Sequence, residues 1–108
     1  MKLATLTLAA AALVAAPAYA VLDNAQAEAM MKKDGCAACH SVDKKIVGPA
    51  YVDVAAKYRS DKAAQASLEK KVKDGGVGVW GQIPMPPNAQ VPQNDIKELV
   101  TWILALKK

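Results

Sequence analysis

The chain opens on one apolar run and afterwards breaks into short amphipathic stretches divided by glycine and proline. Leu3 to Ala16 is almost continuously apolar, Lys2 precedes it, Pro17 breaks it, and Ala18-Tyr19-Ala20 has the small-x-small form of an export cleavage site. A run of about 14 residues is shorter than the roughly 20 that a membrane-crossing helix needs. Residues 1–20 are therefore expected to be a cleaved signal peptide, and 21–108 one exported domain without stable membrane insertion.

Beyond Val21 the polar and apolar positions follow helical spacing. Asp23 is placed to cap a helix with Gln26 three positions on, and Ala25 to Lys33 are good helix formers that end before Gly35. A loop follows through Ile46-Val47-Gly48-Pro49. From Pro49 to Tyr58 the spacing predicts a short helix with two possible buried faces, Val52, Ala55 and Ala56 or Tyr51, Val54, Ala55 and Tyr58. Ser60 can cap a helix over about Asp61 to Asp74, with Ala64, Leu68 and Val72 one turn apart and Gly75-Gly76 as its stop. Val77 to Pro92 is rich in Gly and Pro and predicts ordered coil. After Pro92 and Asn94, the stripe Ile96, Leu99, Val100, Ile103 and Leu104 marks the clearest helix. No run of alternating β-branched residues appears, so the fold class is all-α, with about four helices.

Composition adds a difficulty. The 53% hydrophobic content is inflated by the leader, and the 88 of 108 residues that follow it keep four aromatics, Tyr51, Tyr58, Trp80 and Trp102, with no phenylalanine. A core built of those side chains alone is marginal at this size. A buried apolar cofactor would supply the missing volume. The leader carries one of the 14 basic residues, so 13 face 10 acidic ones after cleavage. That weak basic balance is no nucleic-acid signature; it suits attraction to acidic protein surfaces or membranes.

The cofactor is indicated by Cys36-Ala37-Ala38-Cys39-His40. Two thiols three positions apart lie on one side of a helical turn, each able to form a thioether with a porphyrin vinyl group, while the adjacent imidazole ligates the iron. Cys36 and Cys39 are thus the expected attachment points of one covalent haem c, and His40 its first axial ligand. Rival readings lack partners. A structural zinc site needs about four N or S ligands, and the chain holds two cysteines and one histidine. A thioredoxin-like pair would sit in a βαβ unit, and a disulfide closing so short a loop adds little stability.

The second axial ligand follows by elimination. With no second histidine, the soft donors are Met30, Met31 and Met85. Met30 and Met31 precede Cys36 on the segment that already supplies His40, whereas Met85 lies far along the chain in Ile83-Pro84-Met85-Pro86-Pro87-Asn88. Three prolines there fix φ and stiffen an otherwise Gly-rich stretch. Met85 is the expected sulfur ligand.

With these residues assembled, the chain resembles a small monohaem class I cytochrome c of the short bacterial type. The resemblance spans nearly all of 21–108, through Cys36-x-x-Cys39-His40, Val47-Gly48-Pro49-Ala50-Tyr51, Val79-Trp80-Gly81, the Met85 segment and Trp102-Ile103-Leu104. It implies the class I fold around the haem. It also implies that the Pro49 carbonyl accepts from the His40 ring, that Asn88 donates to the Met85 sulfur, and that Trp80 bonds a haem propionate with help from Lys71. Trp102 and Gly35 resemble the pair at which the first and last helices cross. Met31 stands where the family commonly has an aromatic, and Gln90-Val91-Pro92 provides no Ser, Thr or Asp to cap the last helix.

The expected function is one-electron transfer without bond making, so no enzyme. His/Met ligation closes the coordination sphere against peroxide chemistry or gas sensing. The expected setting is a periplasmic respiratory chain, with a monomer shuttling between a membrane cytochrome complex as donor and a terminal reductase or oxidase as acceptor. A docked electron-transfer subunit of an oxidase or dehydrogenase is the alternative. Lys32, Lys33, Lys44, Lys45, Lys71 and Lys73 are candidates to ring the exposed haem edge, and Val47, Ala50 and Ile83 to form an apolar docking rim.

Overall fold

Asp23 starts the first helix, α1 (Asn24–Lys33), through a complete capping box: its carboxylate accepts from the Gln26 amide at 2.7 Å, and its own amide donates to the Gln26 side chain at 3.0 Å. The computed structural model describes residues 3–12 and 21–107. Residues 3–12 are exposed and take no helix or strand; the expected cleavage site at Ala18-Tyr19-Ala20 lies outside the described residues. After α1 come a 3-10 turn at Cys36–Ala38, then α2 (Tyr51–Tyr58), α3 (Ala64–Asp74) and α4 (Gln93–Leu104). Two isolated antiparallel bridges, His40 with Lys45 and Gly76 with Met85, are the β pairing among the described residues. The fold is all-α.

The choice of buried face on α2 falls on Tyr51, Val54 and Ala55. Tyr51 and Val54 meet α1 and α4 in one cluster with Ala27, Met31, Leu99, Trp102 and Ile103. A second cluster sets Val91, Ile96 and Val100 against Leu68 and Val72 of α3. Ile96 and Val100 are the largest fully buried side chains, each stabilising the fold by about 1.5–3 kcal/mol relative to exposure. Thus α4 is the spine: its Leu99, Trp102 and Ile103 join one cluster, its Ile96 and Val100 the other.

Two local expectations are corrected. Ser60 does not cap α3, which starts three residues later than expected, because Asp61 first makes a turn in which its carboxylate accepts from the Ala63 amide at 2.8 Å. Gly35 is not the small partner of Trp102: a side chain there would meet nothing within 4 Å. Its glycine is required by φ +83°, which lets the chain leave α1. The small residue at the crossing is Ala27, fully buried beside Trp102, whose indole N–H donates to the Asn24 side chain at 3.1 Å. Finally, Met31 is 4% exposed and fills this core itself. α4 starts on Pro92, with no side-chain cap, its carbonyl accepting from the Ile96 amide at 3.1 Å.

Candidate functional site

The 3-10 turn places the sulfur-bearing residues and His40 in one tight coil, with the Cys36 carbonyl accepting from the Cys39 amide at 3.1 Å and the His40 amide at 2.9 Å. The His40 Nδ1 lies 2.9 Å from the Pro49 carbonyl oxygen. A carbonyl can only accept, so Nδ1 carries the proton and Nε2 keeps a lone pair for a metal. Two further groups frame the ring. A Cβ at Gly48 would collide with His40 Cε1 and lie 2.9 Å from each ring nitrogen, so only glycine fits against the imidazole. The Tyr51 ring stacks on it, with centroids 4.9 Å apart and planes 18° from parallel. Burial, then the neighbouring Cys36 sulfur, pushes the Tyr51 phenol well above its usual value, so it stays neutral. Burial likewise raises the Cys36 thiol.

Met85 is held by backbone. Gly75 ends α3 with φ +74°, its amide donating to the Lys71 carbonyl at 2.8 Å. Gly76 and Met85 then exchange both amide hydrogen bonds, at 3.0 and 2.8 Å. A Cβ at Gly75 would strike the Met85 carbonyl and lie 2.9 Å from the Pro87 nitrogen, so the close approach of these two segments depends on glycine. Asn88 finishes the strap: its amide donates to the Lys73 carbonyl at 3.0 Å, and its side-chain Nδ2 to the carbonyls of Val72 and Pro86 at 3.0 and 3.1 Å. Here Asn88 donates to backbone carbonyls rather than to the Met85 sulfur. Both amide hydrogens satisfy carbonyls that α3 and the prolines leave open.

Between these segments lies a cavity of about 350 Å³. Cys39, His40 and Pro49 line it from the chain before α2, Met85 from the chain after α3, and Val54, Leu68, Leu99 and Ile103 from the helices. Trp80 is at its wall, 42% exposed, with the Lys57 ammonium 5.5 Å from its ring centroid. Lys71 also lines the cavity and is half-buried; a Cβ at Gly76 would come within 2.8 Å of its Nζ.

Of the six lysines expected at the haem edge, Lys45 and Lys71 line this cavity, whereas Lys33 is paired with Asp95 at 2.9 Å, on the α1–α4 side. Of the expected apolar rim, Val47 and Ile83 are 44% and 66% exposed, but Ala50 is 1% exposed and cannot take part. It stands at the start of α2, its carbonyl accepting from the Val54 amide at 3.1 Å. The roles of Tyr51, Gly48 and Lys57 were not foreseen. A stack across eleven residues, or a lysine over a distant tryptophan, leaves no periodic trace in a sequence.

The donor set fits an iron porphyrin. An apolar cleft, an imidazole with its distal nitrogen free, a thioether on a second segment and two thiols in one turn meet the needs of a covalently held, six-coordinate haem.

The cytochrome c family model matches residues 24–107. The chain is 62% identical over 90 residues to cytochrome c-551 of Allochromatium vinosum, covering 82% of this chain and 96% of that protein. It is 53% identical over 94 residues to cytochrome c-552 of Nitrosomonas europaea, covering 86% and 91%. The crystal structure of wild-type Nitrosomonas europaea cytochrome c552 superposes with a TM-score of 0.71 at 52% identity, over 74% of this chain and 99% of that one. The chain belongs to the cytochrome c family. Within it, this is a small class I monohaem cytochrome, an electron-transfer protein with one covalently bound haem c.

Proposed function

We propose that Cys36 and Cys39 hold the haem, each S–H adding across a vinyl group, with His40 and Met85 as axial ligands to the iron. The observation that carries this reading is that the only imidazole in the chain and a backbone-clamped thioether, from two distant segments, line the same apolar cavity. When bound, the haem supplies reversible one-electron exchange between ferric and ferrous iron. Pro49 keeps the Nδ1 proton in place, so His40 presents Nε2 throughout. The Gly76–Met85 pairing keeps the sulfur from moving as the charge changes. A sulfur ligand and an apolar surround both favour the ferrous state and raise the potential. Trp80 and Lys71 line the cavity wall, which supports a role for both at the haem propionates.

In this reading residues 1–20 direct export and are removed, and the domain shuttles electrons in the periplasm between a membrane cytochrome donor and a terminal reductase or oxidase. The relatives named above support a carrier role. No helix among the described residues is long and apolar enough to cross a membrane. Partners meet the cleft rim, where Val47, Val77 and Ile83 are exposed and Lys45, Lys57 and Lys71 add charge. Charge of this modest size steers the encounter and is screened over a Debye length of about 8 Å, so transfer rates should fall only gently with salt.

The test is Met85→Ala. The variant should lose the weak sulfur-to-iron absorption of the ferric form and show a lower potential. Retention of that band would assign the iron to another residue.

A further inference from the structure

We propose that Tyr51 is a positioning residue that sets the rotation of the His40 imidazole about its bond to the iron. The inference rests on His40 being an axial ligand. Pro49 restrains one atom of the ring, Nδ1, at 2.9 Å. One hydrogen bond holds a point and leaves the plane free to swing about it. The plane is held by the Tyr51 face, 4.9 Å away and 18° from parallel. Gly48 blocks the other escape, since its backbone lies so near Cε1 that no side chain could intervene.

Tyr51 is itself held against rotation. It is 5% exposed, at the first position of α2, where its amide donates to the Ser41 carbonyl at 3.0 Å. Trp102 meets it edge-on, with centroids 6.3 Å apart and planes 89° apart. Cys36 packs against the cluster that contains both rings. One aromatic therefore ties the attachment turn, the iron ligand and the α1–α4 core together. Offset stacking and edge-on contact are the two arrangements aromatic rings prefer. The plane of the imidazole is thus inherited from the helix core. The orientation of that plane governs how the unpaired electron of the ferric iron is distributed, so it is readable by magnetic resonance.

The experiment compares the holoproteins of wild type, Tyr51→Phe and Tyr51→Leu. The wild-type optical spectrum tests the ligation reading separately: a missing sulfur-to-iron band fails that reading whatever Tyr51 does. With the band present, Tyr51→Phe keeps the stack and should reproduce the wild-type ferric paramagnetic resonance spectrum. Tyr51→Leu keeps bulk without an aromatic face and should shift and broaden its low-field feature. An unchanged position and width in Tyr51→Leu would overturn the proposal, as would an equal shift in Tyr51→Phe. A measurement on the wild type stands if Tyr51→Leu does not fold. In the reduced, diamagnetic protein the Tyr51 ring protons should show through-space contacts to the His40 ring and separate signals for the two sides of a slowly flipping ring. Absent contacts, or a freely flipping ring, would overturn it.

Discussion

The α1–α4 crossing and the strap from Gly75 to Val91 are built by opposite means. At the crossing, Ala27, Met31, Tyr51, Leu99, Trp102 and Ile103 exclude water with their own side chains. Along the strap, Val77, Val79, Trp80 and Ile83 are all more than 40% exposed, and order comes from backbone hydrogen bonds and prolines. Side chains that pack against each other exclude water directly, whereas a strap of this kind encloses a space that something else must fill. The cofactor is therefore a structural member for one half of the molecule and a neighbour for the other.

The sharpest way to break that comparison is to remove the haem. Cys36→Ala with Cys39→Ala, produced without attachment, loses a ligand that binds only the native state and the volume a small core lacks. Far-ultraviolet circular dichroism should show low helicity and no cooperative melt. An apoprotein with full helicity would mean that both halves are self-sufficient. Next in size is Trp102→Ala, which empties the crossing at a cost of about 3–5 kcal/mol. Chemical denaturation should register the loss, while the optical signature of sulfur ligation should survive at low denaturant.

How much of this was legible in the sequence divides along the same line. The helices were readable because Ile96, Leu99, Val100 and Ile103 recur at helical spacing, and Asp23 with Gln26 is a local capping signal. The haem attachment was readable because its chemistry fixes three residues within five adjacent positions. What escaped depends on contacts between distant segments. Gly35 was read both as a helix stop and as the packing partner of Trp102, and its backbone angle supports only the first; the Val72 carbonyl that accepts from Asn88 lies 16 residues away, beyond any local signal. Ser60 seemed a cap because Asp61, the residue that turns the chain, stands beside it.

Asn88→Ala sharpens the comparison from the strap side. It leaves the Val72 and Pro86 carbonyls without their donor, at a cost of about 1–3 kcal/mol. The loss should be local: amide exchange at Gly76, Met85 and position 88 should quicken, with the α1 and α4 amides unchanged. Equal acceleration in α1 would show the two halves to be one cooperative unit.

The smallest effect probes the crossing by charge. Asp34 stands at the C-terminal cap of α1, and Asp95 in the first turn of α4. The Lys33 ammonium, 2.9 Å away, holds the Asp95 carboxyl below its usual value. Burial, then the nearby Asp95 carboxylate, raises Asp34, and a negative charge at a helix C-terminus is unfavourable as well. The signs are opposite. The Asp95 contribution is present above the ordinary carboxylate value of about 3.9 and is lost as pH falls through its lowered folded value. The Asp34 contribution is present below that ordinary value and is lost as pH rises through its raised one, so at neutral pH the ionised Asp34 is a liability. Asp34→Asn should raise stability at neutral pH by no more than about 0.5 kcal/mol, since Asp34 is only partly buried and solvent screens its charge. The gain should vanish under acid, where Asp34 is protonated in both states. Thermal midpoints between about pH 3 and pH 7 would show it as two curves that separate as pH rises. Parallel curves would mean that the α1–α4 crossing does not sense this carboxylate, and that its stability lies in the Ala27–Met31–Trp102 packing alone.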